Sequence, residues 1–278
     1  MKTMLAAPVL RRRALLAALV ATTALAGCAV PVRPAAPPAP AEVVRVLAPT
    51  GTLRVAVYPG SPTSLVEQAA PENMRGVSVD LGRSLASRLG VPARIVVFPR
   101  LAESLTAVQR GEADFLITNA TAERARLVDF APTLVDLELG VLVTPASRIP
   151  AITRLDTPGV SVGVSQGSSS ERVLGNQLKQ AAVRSYPSLD VARAALQAGE
   201  IDGFATNKAI LFEMADKLPG SRLLEGRWGT EHLAPGIPKG REAGLPFLRD
   251  FTQDVQRNGE LDRAVRRAGL RGTAEPAR

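Results

Sequence analysis

A repeated alternation of strand-like and helix-like segments constrains the fold of this chain more than any other feature. In its first half, strand patterns at 53–57, 94–98 and 114–118 alternate with helical apolar spacing at 77–89 and 101–110. The third strand holds a continuous apolar run, as a strand buried on both faces of a parallel sheet requires. This βαβαβ order predicts an open sheet flanked by helices.

The pattern restarts after a further predicted strand at 137–144. The second series of predicted elements comprises strand 160–165, helix 170–180, strand 182–185, helix 189–198 and strand 203–206. Two more helices are predicted near the carboxyl end, at 245–257 and 260–268. Two sheets joined by extended crossings form hinged lobes around a cleft. The predicted fold class is therefore α/β with two lobes, each a mainly parallel sheet flanked by helices.

The first residues have the composition of a secretory signal. Arg11, Arg12 and Arg13 precede an apolar run at 14–25, which is shorter than the ~20 apolar residues that a membrane span needs. The run ends in Leu-Ala-Gly-Cys, and this tetrapeptide resembles the bacterial lipobox. The resemblance implies that residues 1–27 are a lipoprotein signal peptide and that Cys28 carries the lipid. An ordinary secretory signal followed by a chance cysteine is the alternative.

The segment after Cys28 is rich in proline and alanine. Five prolines occur in 29–42, and such a sequence favours an extended, semi-rigid spacer. We predict that 28–50 is a tether between a lipid anchor and a globular body that begins near Gly51. Lipid, tether and body together predict a protein of the periplasm or cell envelope that is anchored to a membrane.

Composition excludes several classes of partner and site. The formal net charge is +8, but four basic residues precede residue 28, which leaves 30 basic against 26 acidic residues. This mild excess, without a dense Lys/Arg run in the body, argues against nucleic acid as a partner. The chain has one cysteine and one histidine, His232, so we expect no intrachain disulfide, no histidine-rich metal site and no Ser-His-Asp triad. No metal and no cofactor are predicted.

Six short motifs occur in an order that is typical of one family. They are GTLRVAV at 51–57, DL at 80–81, GEAD at 111–114, TAER at 121–124, VDF at 128–130 and VGVSQGS at 162–168. Together they resemble the periplasmic solute-binding proteins of ABC transporters, specifically the polar amino-acid-binding family, family 3 type. The resemblance covers 51 to about 270 and implies a "Venus flytrap" fold. It implies that 51–143 plus 235–278 form lobe 1 and that 144–234 form lobe 2.

The TAER motif carries the residue on which most of the functional prediction depends. The resemblance implies that Arg124 binds a ligand carboxylate, with Thr121 and Asn119 beside it. A guanidinium suits this role because its planar fork matches a carboxylate and because it stays protonated. Asn119 stands where the family usually has Thr or Ser, and its NH₂ group can still donate to a carboxylate. The alternative is that Arg124 only pairs with Glu123 or Asp129.

Two loops supply further candidate ligand-binding residues. Ser168 and Ser169 lie in a turn between a strand and a helix, where backbone N–H groups attract anions. The S-x-x-E spacing from Ser168 also fits a helix cap, and the two roles are compatible. Tyr58, Ser61 and Thr63 follow the first strand at its carboxyl end, where open α/β sheets bind ligands. A rigid proline turn with a surface tyrosine is the alternative for that loop.

One position departs from the family pattern. Where the amino-acid binders usually place an aspartate against the ligand's ammonium group, strand alignment puts Asn207, followed by Lys208. An asparagine has no charge to neutralise a buried ammonium. We therefore count Asn207 among the candidate ligand-binding residues. The accompanying hypothesis is that the ligand is a small carboxylate, another anion, or an amino-acid derivative whose amine meets neutral acceptors.

The predicted function is that of the extracytoplasmic solute-binding component of an ABC transporter, not an enzyme. A small carboxylate-bearing solute (amino acid, derivative or organic acid) binds in the cleft of a monomer, and the closed form docks on an ABC permease in the inner membrane. One alternative is a periplasmic enzyme that is similar to cyclohexadienyl dehydratase, with Glu213, Glu231 or Lys208 as acid–base candidates. Another is a ligand-sensing subunit that signals through a membrane receptor.

Overall fold

The structure, a computed structural model, describes residues 38–66 and 70–274. Its helices are α1 Ala41–Leu47, α2 Val77–Leu89, α3 Leu101–Gln109, α4 Ser169–Gln177, α5 Leu189–Gln197, α6 Lys208–Asp216, α7 Leu245–Arg257 and α8 Glu260–Ala268. Its strands are β1 Leu53–Val57, β2 Ala93–Val97, β3 Leu116–Asn119, β4 Val128–Phe130, β5 Val135–Val143, β6 Ser161–Ser165, β7 Ala182–Tyr186, β8 Gly203–Asn207, β9 Arg222–Leu223 and β10 Gly229–Pro238. The predicted signal peptide at 1–27 and lipidated Cys28 lie outside the described residues.

The first lobe is built on β1. This strand pairs in parallel with β2 in a register that sets Leu53 against Ala93, and Val55 forms a parallel bridge with Phe115 just before β3. Helix α2 packs on the same strand, and Gly82 allows the close approach, because a Cβ atom there would lie 2.6 Å from a Val55 methyl group. Leucines and valines of β1, α2, α7 and α8 form one apolar core.

The second lobe is a sheet in the order β7-β6-β8-β5. Strand β6 pairs in parallel with both β7 and β8, whereas β8 pairs antiparallel with β5. The sheet separates two apolar clusters, of which one includes Val162 and Leu174 and the other Phe204 and Leu196. Strands β6 and β8 are therefore buried on both faces, as is usual for strands of a parallel sheet.

Two long strands, β5 and β10, connect the lobes. They pair antiparallel from Leu139 with Gly229 to Val135 with Leu233, and β10 then continues into the first lobe, where it pairs with β3 and β4. Strand β10 was not predicted, because Pro235, Gly236 and Pro238 are residue types that are typical of turns. Its backbone is extended all the same, since the first-lobe sheet pairs with it on both sides. The predicted lobe boundary at 234/235 falls inside this strand and stays a prediction.

Helix α1 corrects part of the predicted tether at 28–50. Its residues Val43, Val44 and Val46 pack against the first-lobe core, and Leu47 is buried in that core. Leu47 contacts the turn at Gly244, where a Cβ atom would lie 2.4 Å from a Leu47 methyl group. The five prolines all precede residue 41, so nothing in 41–47 opposes a helix that has an apolar face.

The predicted elements are present. Those at 53–57, 77–89, 245–257 and 260–268 have the predicted bounds, and the others have shifted ends. Helix α4, for example, ends at Gln177 and not at 180, because Asp156 Oδ1 accepts the backbone N–H groups of Lys179, Gln180 and Ala181 and holds them in a loop. Within the described residues, no helix is long and apolar enough to cross a membrane.

Candidate functional site

A cavity of about 350 Å³ lies between the two lobes. The loop after β1 and the end of β3 line it from the first lobe, the ends of β6 and β8 line it from the second, and β10 passes along it. Six of the nine predicted ligand-binding residues line this cavity: Tyr58, Thr63, Asn119, Arg124, Ser168 and Asn207. The carboxyl ends of strands from both sheets thus meet at one place, which is where α/β sheets bind ligands.

Arg124 is a buried cation in this cavity, with only 6% of its surface exposed. It lies in a short 3₁₀ turn, Arg124–Arg126, a few residues after β3. Its Nη1 donates to Thr118 Oγ1 at 2.8 Å and to the backbone oxygen of Asn119 at 3.4 Å. Its Nη2 donates across the cleft to the backbone oxygen of Gly167 at 3.5 Å. These partners are neutral, so they orient the guanidinium without neutralising it.

The alternative in which Arg124 pairs with Glu123 or Asp129 is wrong. Glu123 forms an ion pair with Arg172 at 2.7 Å, and Asp129 pairs with Lys239. Within residues 38–66 and 70–274, no carboxylate lies within 4.0 Å of the Arg124 guanidinium. Burial lowers the pKa of Arg124 from its ordinary value, and the negative charge of Glu231 acts in the opposite direction. A buried guanidinium without a counter-charge gains more free energy from a bound carboxylate than one that is already paired.

Glu231 is the buried carboxylate of the cavity, with 7% of its surface exposed, whereas Asp190, which also lines the cavity, is exposed. Its Oε1 accepts a hydrogen bond from Ser169 Oγ at 2.9 Å, and its Oε2 accepts one from Asn207 Nδ2 at 3.0 Å. Ser169 begins α4, and Asn207 caps α6. The carboxylate therefore sits at the N-termini of two helices, where the helix dipoles favour a negative charge.

The amide groups of Asn119 and Asn207 have fixed orientations. Asn207 Oδ1 accepts the backbone N–H of Ile210 at 3.1 Å, and Asn119 Oδ1 accepts the backbone N–H of His232 at 3.0 Å. Each NH₂ group is consequently turned toward the cleft, where Asn207 donates to Glu231 and Asn119 donates to Ser169 Oγ at 3.1 Å. Asn207 supplies a donor where the sequence analysis sought an acceptor, and Glu231 is the acceptor.

The loop after β1 contributes the phenol of Tyr58 together with the hydroxyl groups of Ser61 and Thr63. The Tyr58 backbone N–H donates to Ser64 Oγ at 2.8 Å, and the Ser61 and Thr63 hydroxyl oxygens lie 2.8 Å apart. Burial raises the pKa of Tyr58, and its hydrogen bond to the Ser61 side chain acts in the opposite direction. Tyr58 and Thr63 line the cavity, whereas Ser61 lies behind the lining residues. At neutral pH Tyr58 is thus an uncharged donor.

The turn before α4 confirms the predicted helix cap. Ser168 Oγ accepts the backbone N–H of Glu171 at 3.1 Å, while the Glu171 carboxylate accepts the backbone N–H of Gly167 at 2.6 Å. Gly167 has a φ of +73°, and a Cβ atom there would lie 2.9 Å from the Cβ of Ala102 in the other lobe. A glycine is therefore required both by the backbone conformation and by the approach of the two lobes.

The other predicted residues have supporting positions or lie elsewhere. Thr121 Oγ1 accepts the backbone N–H of Arg124 at 3.2 Å, so it stabilises the turn and does not line the cavity. Of the three acid–base candidates, only Glu231 lines the cavity, since Lys208 pairs with Glu138 at 2.5 Å and Glu213 with Arg271 at 3.5 Å.

Glu231 was predicted only as an acid–base candidate of the enzymatic alternative and not as a ligand-binding residue, because β10 was not recognised as a strand. The signal that was available is the alternation in Thr230, Glu231, His232 and Leu233, which places residues 231 and 233 on one face of a strand. His232 points the other way, where its Nδ1 lies 2.8 Å from Asp136 Oδ1 in an exposed pair.

Comparisons with known proteins agree with this geometry. The family model of the bacterial extracellular solute-binding proteins, family 3, matches residues 53–269. This chain belongs to that family. The resemblance in the sequence analysis is thereby confirmed, and the chain is an extracytoplasmic solute-binding protein.

Individual relatives of this family 3 protein are distant in sequence. The glutamine-binding protein GlnH of a Bacillus subtilis ABC transporter is 23% identical over 193 residues, which cover 68% of this chain and 70% of the relative. The solved solute receptor for L-cysteine of Neisseria gonorrhoeae has a TM-score of 0.72 at 22% identity, covering 84% of this chain and 99% of the receptor. An ancestral amino-acid-binding protein, described as a precursor of cyclohexadienyl dehydratase, has a TM-score of 0.69 at 23% identity, with coverages of 81% and 98%. The predicted two-lobed fold is confirmed.

Proposed function

We propose that this family 3 protein is the solute-binding component of an ABC transporter and that it holds an α-amino acid in the cleft. The ligand carboxylate binds Arg124, and the ligand ammonium group binds Glu231. The observation that carries the proposal is the presence in one cavity of a buried guanidinium and a buried carboxylate that are not paired with each other. A zwitterion supplies the counter-charge to both.

The contacts of Arg124 support the carboxylate end. Nη1 and Nη2 each make hydrogen bonds to neutral oxygens, and these fix the plane of the guanidinium. A fixed planar fork binds a carboxylate in two parallel hydrogen bonds, which are among the strongest in proteins. Because Gly167 comes from the second lobe, a ligand on this face of Arg124 contacts both lobes and favours the closed form over the open one.

The contacts of Glu231 support the ammonium end. Each carboxylate oxygen accepts one hydrogen bond from the protein, and a carboxylate oxygen can accept about two. The remaining lone pairs are available to a cation. Because Glu231 can accept the ammonium group, Asn207 does not have to accept it alone. The hypothesis of an anionic ligand therefore loses its main reason.

The named relatives support an amino acid as the ligand, because GlnH is a glutamine-binding protein and the Neisseria gonorrhoeae protein is a receptor for L-cysteine. Their ligands differ in the side chain. The proposal is therefore limited to the group that all α-amino acids share.

Calorimetric titration tests the proposal with three ligands that share one side chain. We would choose the amino acid that raises Tm most among the twenty and cystine, then compare it with its des-amino acid and its decarboxylated amine. Arg124→Met should weaken the amino acid and the des-amino acid by ~100-fold or more, since a buried charge-assisted pair is lost. Glu231→Gln should weaken the amino acid by ~10-fold or more and leave the des-amino acid within ~3-fold.

Arg172→Met is the matched control, because Arg172 is a half-exposed cation on the second lobe that already pairs with Glu123. Its affinities should stay within ~5-fold of those of the parent. Wild-type affinity for the amino acid in Arg124→Met would show that the guanidinium does not hold the ligand.

We infer further that the ligand is released unchanged. Of the three acid–base candidates only Glu231 lines the cavity, and both of its carboxylate oxygens are already engaged by Ser169 and Asn207. Incubation with prephenate, and separately with the bound amino acid, should leave both compounds unaltered by NMR. Formation of a dehydrated or deaminated product would establish the enzymatic alternative.

We also infer a lipid anchor at Cys28, a monomeric state and delivery to an ABC permease in the inner membrane. The support is the lipobox-like sequence before Cys28 and the proline-rich segment after it. Mass spectrometry of the mature N-terminus should find an acylated Cys28, and Cys28→Ser should abolish acylation. A mature chain that retains residues 1–27, or that starts at another residue without lipid, contradicts the anchor.

Light scattering of the purified protein should give the monomer mass.

A further inference from the structure

Ser169 occupies a junction between the lobes that the amino-acid-binding proposal does not use. It is the first residue of α4 in the second lobe, it is 8% exposed, and its hydroxyl touches two other polar side chains of the cleft. We infer that Ser169 is a positioning residue that links closure of the lobes to the ammonium site at Glu231. This inference rests on the proposed function, because it requires that Glu231 receive an ammonium group.

The direction of each hydrogen bond at Ser169 follows from chemistry. An ionised carboxylate can only accept, so the single Ser169 proton goes to Glu231 Oε1. Ser169 Oγ must then accept from Asn119 Nδ2, and it can do so because the Asn119 oxygen is already bound to the His232 backbone N–H. The result is a one-directional chain from His232 through Asn119 and Ser169 to Glu231.

The two ends of this chain, His232 and Glu231, lie on the connecting strand β10, and the step from Asn119 to Ser169 joins the two lobes directly. Asn119 is the last residue of β3 in the first lobe, whereas Ser169 belongs to the second lobe, whose residues also hold Glu231. The Asn119–Ser169 bond can therefore exist only while the lobes are together. Successive hydrogen bonds polarise one another, so donation from Asn119 strengthens the bond from Ser169 to Glu231.

The consequence concerns ligand selectivity. In the closed form, Glu231 is held with its free lone pairs directed into the cavity, and an ammonium group gains from that geometry. A ligand without an ammonium group gains nothing from it. Ser169 should therefore contribute to the preference for amino acids over des-amino acids, although we place it outside direct contact with the ligand.

The test compares Ser169→Ala with Ser170→Ala by calorimetric titration. Ser170 is the matched control, because it is the next residue in the same helical turn, is fully buried, and has a hydroxyl oxygen without a hydrogen-bond partner. The probes are the amino acid that stabilises the wild-type protein most and its des-amino analogue. We expect Ser169→Ala to weaken the amino acid by ~10-fold and the des-amino acid by less than ~2-fold. Ser170→Ala should leave both affinities within ~2-fold.

Two further variants separate positioning from folding. Ser169→Thr keeps the hydroxyl and should restore the amino-acid affinity to within ~3-fold of wild type. Asn119→Ala and Ser169→Ala should be non-additive in amino-acid affinity, because both break the same chain. Urea unfolding of each variant checks that the fold is kept.

The outcomes distinguish this inference from the proposed function. Equal weakening of both ligands by Ser169→Ala, or strict additivity with Asn119→Ala, overturns the inference while leaving amino-acid binding intact. Failure of every amino acid to bind the wild-type protein overturns the proposed function, and this inference falls with it.

Discussion

Arg54 and Arg124 are two largely buried arginines in opposite electrostatic situations. Arg54, on β1, donates from Nε to Asp114 Oδ2 at 2.8 Å and from Nη2 to Asp114 Oδ1 at 2.7 Å, and Arg241 donates to the same carboxylate at 2.7 Å. Among the described residues, Arg124 in the cleft donates only to neutral oxygens. The first arginine completes an ion-pair cluster within the protein, whereas the proposed function gives the second its counter-charge from a ligand.

The pKa directions express the same difference. The hydrogen bond to Asp114 raises the pKa of Arg54, whereas burial lowers the pKa of Arg124. Placing a charge in the interior without a counter-charge costs free energy, and under the proposed function ligand binding recovers that cost. The buried arginine with neutral partners is therefore the feature on which the proposed site depends most.

The largest effect on stability is expected at Asp114, the carboxylate that Arg54 and Arg241 share. Asp114 is fully buried and also accepts the Arg54 backbone N–H at 2.9 Å. Asp114→Ala should lower the free energy of unfolding by ~3 kcal/mol, because it leaves two guanidinium groups without their counter-charge. Urea denaturation followed by circular dichroism measures the change. A loss below about 1 kcal/mol would mean that the cluster is solvated more than its burial indicates.

Neutralising the two arginines should have opposite effects. Arg54→Met should lower the free energy of unfolding by ~1–2 kcal/mol, since Arg241 remains on Asp114, while Arg124→Met should raise it by up to ~1 kcal/mol in the absence of ligand. The same urea experiment measures both variants. If Arg124→Met destabilises the protein as much as Arg54→Met, the cleft arginine has a structural role that its hydrogen bonds do not show.

The paired site should also respond to pH. Burial raises the pKa of Asp114, but the hydrogen bonds from Arg54 and Arg241 outweigh it, and the net direction is downward. The carboxylate therefore contributes stability that is complete above its unfolded pKa of ~3.9 and is lost as pH falls through the lower folded pKa. The stability difference between wild type and Asp114→Asn should be constant from pH 5 to 8 and should shrink below about pH 4. A difference that shrinks already between pH 5 and 7 contradicts the lowered pKa.

The smallest effect is expected for the exposed pair across the cleft. Glu123 and Arg172 join the lobes at 2.7 Å, but both side chains are about half exposed. Glu123→Gln should change ligand affinity by less than ~5-fold, because solvent and salt screen such pairs. Titration at low and high ionic strength measures this. A larger change in ligand affinity that disappears at high salt would show that this exposed pair contributes to lobe closure as much as the buried contacts do.

Particular residues show how far sequence reasoning reached. The βαβ pattern, the restart of the pattern after residue 144 and the ordered motifs were enough for the family and the two-lobed fold. Arg124 could be singled out because its residue type and motif both match carboxylate binding. Strand β10 could be predicted only in its first part, from the alternation at 230–233. Pro235 and Gly236 argue against a strand locally, and pairing with β3 and β4 keeps the second part extended.

The sequence by itself determined the periodicities, and hence the elements, together with the identity of the charged groups. Only the tertiary structure decided which of those groups meet. Ser169 and Glu231 are 62 residues apart in the chain, and they come within hydrogen-bond distance because the tertiary fold brings this part of β10 to the first residue of α4. Local propensity carries no information about such long-range pairing, since strand register and lobe packing depend on the whole sheet. For that reason the cleft carboxylate was visible in the fold and not in the motif.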